Sequence, residues 1–170
     1  MELELRSPLT LTLNSFRVLI APTEVLVDSL NYNMKELERL QVLYVSGNYS
    51  RILDKLDRRF TELDIRRAFT AHQLMTILKE AYQTLIILEH DPSLFEDASE
   101  MAEYIGLALK EASVGSSVLV YSPWTDRHLD EISKFADRVF VFNVVHKYVY
   151  KRASKKAKPG PREQRTLGAF

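Results

Sequence analysis

Three consecutive titratable residues, Glu89, His90 and Asp91, close the apolar run TLIILEHD (84–91), and another histidine, His72, stands upstream. Histidine and carboxylates together suit a divalent metal. Successive side chains on a strand alternate between faces, however, so Glu89 and Asp91 share one side while His90 looks away. That alternation argues against a single metal centre, and no metal ligand is assigned. A Ser/His/Asp hydrolase would present its nucleophile on a turn of the form GxSxG, which is absent from the chain. With no cysteine there is no thiolate nucleophile, no thiolate metal site and no disulfide. The single tryptophan, Trp124 in SPWTD, could stack on a base, but a half-buried aromatic lid is the expected role. No residue is assigned a catalytic role and no cofactor is expected.

The elements that position these groups are legible from periodicity. Six runs rich in β-branched and aliphatic residues read as strands: FRVLIA (16–21), QVLYVSG (41–47), LDIRRAF (63–69), TLIILEHD (84–91), SSVLVYS (116–122) and DRVFVFNV (137–144). Most are nearly continuous apolar runs, as expected of strands covered on both faces. Between them lie helical patterns. Leu26, Leu30, Met34, Leu37 and Leu40 form one stripe, and Met101, Ile105, Ala108 and Leu109 another. TAHQ (70–73) and SLFE (93–96) match the capping box, and Pro92 stops the strand before the second. Strand and helix alternating in this way imply an α/β domain with a mostly parallel sheet and helices on both faces. LTLTLNSF is expected to add an edge strand, and HKYVYKRA a last strand or an extension into the tail. Ligands of such a sheet bind beyond its carboxyl ends, here Ala21 to Thr23, Ser46 to Asn48, Thr70, Glu89 to Asp91 and Ser122 to Thr125.

The length suits one domain, placed at 1–150, followed by a tail over 151–170. The overall charge of zero conceals two blocks. From Lys147 onward there are eight basic residues and one acid, Glu163, a net of +7, so the remainder carries −7. Such a block marks an interaction segment, or else a solubilising tail. The segment KRASKKAKPGPR is too basic and too proline-punctuated to build a core. No apolar run approaches the roughly 20 residues of a membrane helix, and MELELRSP is unlike a signal peptide. The expectation is a soluble, cytoplasmic protein with no membrane partner.

The stretches VLYVSGNYSRILDKL, LDIRRAFTAHQLMTILKEA, TLIILEHDPSLFED and SSVLVYSPWTDRHLDEISKFADRVFVF, in this order, resemble the ATPase core of the RecA/RadA recombinases, particularly their archaeal paralogs, over residues 16 to 144. The resemblance implies a RecA-like sheet of the P-loop NTPase kind. In that family the first strand runs into GxxxxGK[ST], whose amides cradle phosphate. Here RVLIA is followed by PTEVLVDSL, with no glycine between Phe16 and Val45 and no lysine between Arg17 and Met34. Glu24 and Asp28 would repel a phosphate there. The family's catalytic glutamate at the end of the second strand is replaced by Ser46, Gly47 and Asn48. By the same resemblance Glu89 or Asp91 matches the magnesium-associated acid, and either would be a relic that caps Arg66 or the next helix. The implied state is an inactive ATPase.

QRTLGAF resembles the motif by which proteins bind the sliding clamp, PCNA, with Gln164, Leu167 and Phe170 at the motif's three places and one aromatic where two are usual. In a 3₁₀ turn residues three apart eclipse, so Leu167 and Phe170 would form one apolar plug, with Gln164 in a polar pocket as the resemblance implies. Pro159, Gly160 and Pro161 would hold the plug away from the body. Lys151, Arg152, Lys155, Lys156 and Lys158 would touch DNA threaded through the ring. The expected function is that of a non-catalytic accessory protein of DNA replication, repair or recombination, its acidic body holding another protein of the same pathway. The alternatives are a divergent nucleotide-binding ATPase that keeps Glu89 and Asp91 for magnesium, and a single-stranded DNA-binding module.

Overall fold

A run that is apolar at every position has no face to give to water, and such runs take the centre of the sheet. A computed structural model of the chain describes residues 2–6 and 9–142. Strands β4 (Val42–Ser46), β6 (Leu85–Glu89) and β7 (Ser117–Ser122) are buried at every residue. With β3 (Ser15–Ile20), β5 (Leu63–Arg67) and β8 (Arg138–Val141) they form one six-stranded sheet in the order β5-β4-β6-β7-β3-β8. Every neighbouring pair in it is parallel. The edges fall to β5, with Asp64, Arg66 and Arg67, and to β8, with Arg138, and charge on an edge strand discourages pairing with other chains.

The order distributes the helices. The connections β3 to β4 and β4 to β5 step toward one edge, and the next three step back. Right-handed crossovers therefore place the first two over one face and the last three over the other. Helices α1 (Thr23–Tyr32) and α2 (Met34–Leu37) pack Leu26, Leu30, Met34 and Leu37 on Leu19, Val42, Tyr44, Ile87 and Leu119. On the opposite face α3 (Ala71–Glu80), α4 (Met101–Ala112) and α5 (Arg127–Ser133) bring Leu74, Leu78, Ile105, Leu109, Leu129 and Ile132 against Val18, Val45, Ile86 and Val120. The expected α/β architecture, a parallel sheet between two helical layers, is the one observed.

Three local expectations are corrected. The segment before β3 is no edge of the main sheet. It supplies half of an antiparallel hairpin of its own, β1 (Glu2–Arg6) with β2 (Leu9–Thr12). Leu3, Leu5, Leu9 and Leu11 are buried while Glu2 and Glu4 are exposed, and a strand with one polar face cannot be covered on both sides. The turn from β2 into β3 passes through Asn14 at φ 57°, a conformation asparagine tolerates better than most residues. The long helical pattern after β3 divides at Asn33, whose Nδ2 donates to the carbonyl of Ser29 at 2.8 Å, and the stripe of leucines continues across the break.

The capping boxes fare differently. Thr70 Oγ1 accepts from the amide of Gln73 at 3.2 Å, and Gln73 Oε1 reaches back to the amide of Phe69 at 2.8 Å. SLFE does not cap a helix: it lies within a 3₁₀ turn, Pro92–Phe95, capped by Asp91, and α4 begins only at Met101. Pro92 suits the first position of that turn, which makes Asp91 rather than Ser93 the capping residue. Replacing Thr70 by alanine is expected to cost about 1 kcal/mol and to lower the thermal midpoint by roughly 2–4 °C in a calorimetric scan. An unchanged midpoint would show the cap to be dispensable.

Candidate functional site

The chain leaves β4 in one direction and β6 in the other, and the connections after β7 and β3 likewise cover opposite faces. Crevices thus open at the carboxyl ends of the sheet, between β4 and β6 and between β7 and β3. Asn48 meets Asp91 between β4 and β6, and Ala21 meets Ser122 between β7 and β3, whereas Thr70 stands apart at the β5 edge as the cap of α3.

Glu89 ends β6 and is buried. Its Oε2 accepts from Tyr44 Oη at 2.7 Å and from Ser50 Oγ at 2.6 Å, and its Oε1 accepts from the amide of Arg51 at 2.6 Å. A buried carboxylate needs such donors, and three of them compensate its loss of water. Burial raises the pKa of Tyr44 well above its ordinary value, and the charge of Glu89 and the hydrogen bond to it act in the same direction. Tyr44 is therefore held as the donor. Asp91 takes the amide of Asn48 at 2.9 Å on one oxygen, and the amide and hydroxyl of Ser93 at 3.0 and 2.7 Å on the other. Asp91 thus caps the next helical turn as expected. Neither acid caps Arg66, which lies with Asp64 and Glu80 at the β5 edge.

His90 faces the other helical layer. Its Nε2 is 2.6 Å from Oδ2 of Asp126, whose Oδ1 caps α5 by accepting from the amides of His128 and Leu129 at 2.8 and 2.9 Å. Phe95 is stacked between the rings of His90 and His128, with centroids 6.0 and 5.0 Å away. Burial acts to raise the pKa of Asp126, but the hydrogen bond and charge of His90, with the two amides, hold it below its ordinary 3.8. Because the folded-state pKa is the lower one, this carboxylate's contribution is complete above the unfolded value and is lost as pH falls through the folded value. The Asp126→Asn variant should be less stable than the parent near neutrality, with the difference in thermal midpoint closing as pH falls through the ordinary carboxylate range and on through the lower folded-state value. A difference that stays constant through that fall would exclude the charge of Asp126 as its source.

A serine, a histidine and an aspartate do approach one another: Ser99 Oγ is 3.1 Å from Nε2 of His128, on the surface. Nδ1 of His128 lies 3.9 Å from Asp126 Oδ1, beyond hydrogen-bond reach, and Asp126 is engaged elsewhere. The base therefore lacks the orienting bond of a hydrolytic triad. His72 is exposed at the start of α3. Among the described residues no three His, Asp or Glu side chains are grouped so as to hold a metal ion. Trp124 is 36% exposed, and the guanidinium of Arg51 lies 4.5 Å from its ring centroid, so the expected lid is a cation–π pair joining the loops after β4 and β7.

At the place where the resemblance calls for a phosphate loop, β3 passes into α1 through two residues, Ala21 and Pro22. The amide of Ala21 donates to the carbonyl of Ser122 at 3.1 Å, and Pro22 has no N–H. Tyr121 Oη closes the turn from below, 3.1 Å from the carbonyl of Ala21 and 3.3 Å from Thr23 Oγ1. These amides cannot wrap a phosphate.

Tyr44, Ser50 and Asp126 are the site residues that sequence reasoning missed. Asp126 carried a usable signal, an aspartate ahead of a helical pattern; Tyr44 was hidden in an apolar strand. Gln164, Leu167 and Phe170, the basic residues Lys151, Arg152, Lys155, Lys156 and Lys158, and the boundary at 150 all lie outside the described residues. No helix among the described residues is long and apolar enough to cross a membrane. No model of a known protein family matches the chain. The chain is similar to an uncharacterized protein of Archaeoglobus fulgidus, 38% identical over 124 residues, a stretch that takes in 72% of this chain and 62% of that protein. It thus spans less than two thirds of that relative's length.

Proposed function

We propose that the protein is a non-catalytic accessory factor of DNA replication, repair or recombination, tethered to the sliding clamp through Gln164, Leu167 and Phe170. The observation that carries this reading is the glutamine, leucine and phenylalanine at three-residue spacing in QRTLGAF, behind a basic linker interrupted by Pro159, Gly160 and Pro161. The body is a degenerate recombinase-like platform in the cytoplasm. Two features support the loss of nucleotide binding. The β3–α1 connection has two residues, one of them proline, and both oxygens of Glu89 and of Asp91 already accept internal hydrogen bonds. The acidic body holds a second protein of the pathway, while Lys151, Arg152, Lys155, Lys156 and Lys158 add salt-dependent attraction to DNA inside the ring. Titration calorimetry of the intact chain against a purified archaeal clamp tests the reading, with the Phe170→Ala variant beside it. Heat of binding that is the same for both proteins, or absent from both, sinks it.

A further inference from the structure

On the far side of the sheet from the crevices, cations meet on a body whose net charge is negative. Strands β3 and β8 pair with Arg17 opposite Arg138. Neighbours in register project from the same face of a sheet, about 5 Å apart, so two guanidinium groups start side by side. Like charges so placed repel each other unless something lies between them. Arg17 is held by one bond, Nη2 to Thr12 Oγ1 at 3.1 Å, while its Nη1 is shielded from solvent and has no hydrogen-bond partner among the described residues. The nearest carboxylate does not answer this need. Asp137 Oδ2 accepts from the amide of Phe16 at 2.7 Å, and Oδ1 is taken by Nζ of Lys110. Burial lowers the pKa of Arg17, the charge of Arg138 lowers it further, and Asp137 only partly opposes them. A donor without an acceptor beside a second positive charge is the complement of an anion.

We propose that Arg17 and Arg138 form a binding site for a phosphate group at the β3–β8 edge of the sheet, with Thr12 pinning the first arginine. A phosphate fits better than a carboxylate. A terminal phosphate has more than one negative charge near neutrality and three free oxygens, and a backbone diester sets its two free oxygens tetrahedrally so that each can face a different guanidinium plane, whereas the two oxygens of a carboxylate lie in one plane with its carbon. Access comes through Arg138, which is exposed and rests over the Phe140 ring at 5.9 Å, a loose contact from which it can turn toward an anion. The site is independent of the clamp motif and can fail without it.

The phosphate can belong to a free small molecule or to a nucleic-acid backbone, and one experiment with two arms separates the sources. In the first, thermal midpoints of the full chain are compared in sodium phosphate and in sodium chloride of equal ionic strength. In the second, the full chain is titrated into a fluorescent single-stranded oligonucleotide. Each arm is repeated with Arg138→Gln, an exposed substitution that leaves the basic tail untouched. The parent midpoint should rise in phosphate, through preferential binding to the folded state, and that rise should vanish in the variant. If the backbone is the source, the variant also binds the oligonucleotide about tenfold more weakly, with a salt dependence shallower by roughly one ion. A response in the first arm alone assigns the site to small phosphates, and a response in the second alone assigns it to nucleic acid. Parent and variant behaving alike in both arms overturns the proposal.

Discussion

Changing Phe170 to alanine is expected to weaken clamp binding by roughly 30-fold or more, a loss of at least about 2 kcal/mol, while the thermal midpoint of the body stays where it was. The size of the effect follows from geometry. Leu167 and Phe170 are three positions apart in the sequence, the spacing at which side chains eclipse in a 3₁₀ turn, and on the proposed reading the aromatic ring supplies most of the apolar contact. Leu167→Ala should follow closely, and Gln164→Ala should cost less, since a polar group at the rim exchanges one set of hydrogen bonds for another. A peptide spanning residues 151–170 should bind within about threefold of the intact chain, because the proposed interface lies wholly within those residues. Surface plasmon resonance on immobilised clamp resolves these ranks, with the losses falling mainly on the dissociation rate. A peptide far weaker than the intact chain would move the interface onto the body.

The second large effect concerns Gly47. A Cβ built there would meet Oδ2, Cβ and Cγ of Asp91 at 2.2, 2.5 and 2.7 Å. The carboxylate oxygen could swing away, but a Cβ is fixed to its own backbone and cannot. Asp91 is moreover tied to Asn48 and Ser93, so relief requires the loops after β4 and β6 to part. Gly47→Ala should therefore destabilise the body by about 2–4 kcal/mol, well beyond a surface substitution. In denaturant unfolding, the double variant Gly47→Ala with Asp91→Gly should lose less than the sum of the two single changes. Additive losses would mean that the two positions do not press on each other.

Both cases show what could be foreseen. The strands β4, β6 and β7 were legible because a run apolar at every position already states that both of its faces are covered, and the stripe from Leu26 to Leu37 states a helix covered on one. The absence of GxxxxGK[ST] after β3 was legible too, since it depends on residue types within a few positions. The hairpin was missed because LTLTL alone reads as a strand, while its partner, β1, lies across a turn. Ser93 has the right spacing to Glu96 for a capping box, but Asp91, ahead of a proline, holds that place in the chain as folded. Asn33 breaks a helix whose apolar stripe continues undisturbed.

Taken alone, the sequence determined which segments extend, which coil and which carry charge, because each of these follows from side chains and hydrogen bonds only a few residues apart. The tertiary structure alone decided that Tyr44 and Ser50 satisfy Glu89, that His90 meets Asp126, that Gly47 lies against Asp91 and that Arg17 stands beside Arg138. Each pair is set by strand order and register. Those depend on how whole layers cover one another, and residue spacing along the chain contains no measure of that.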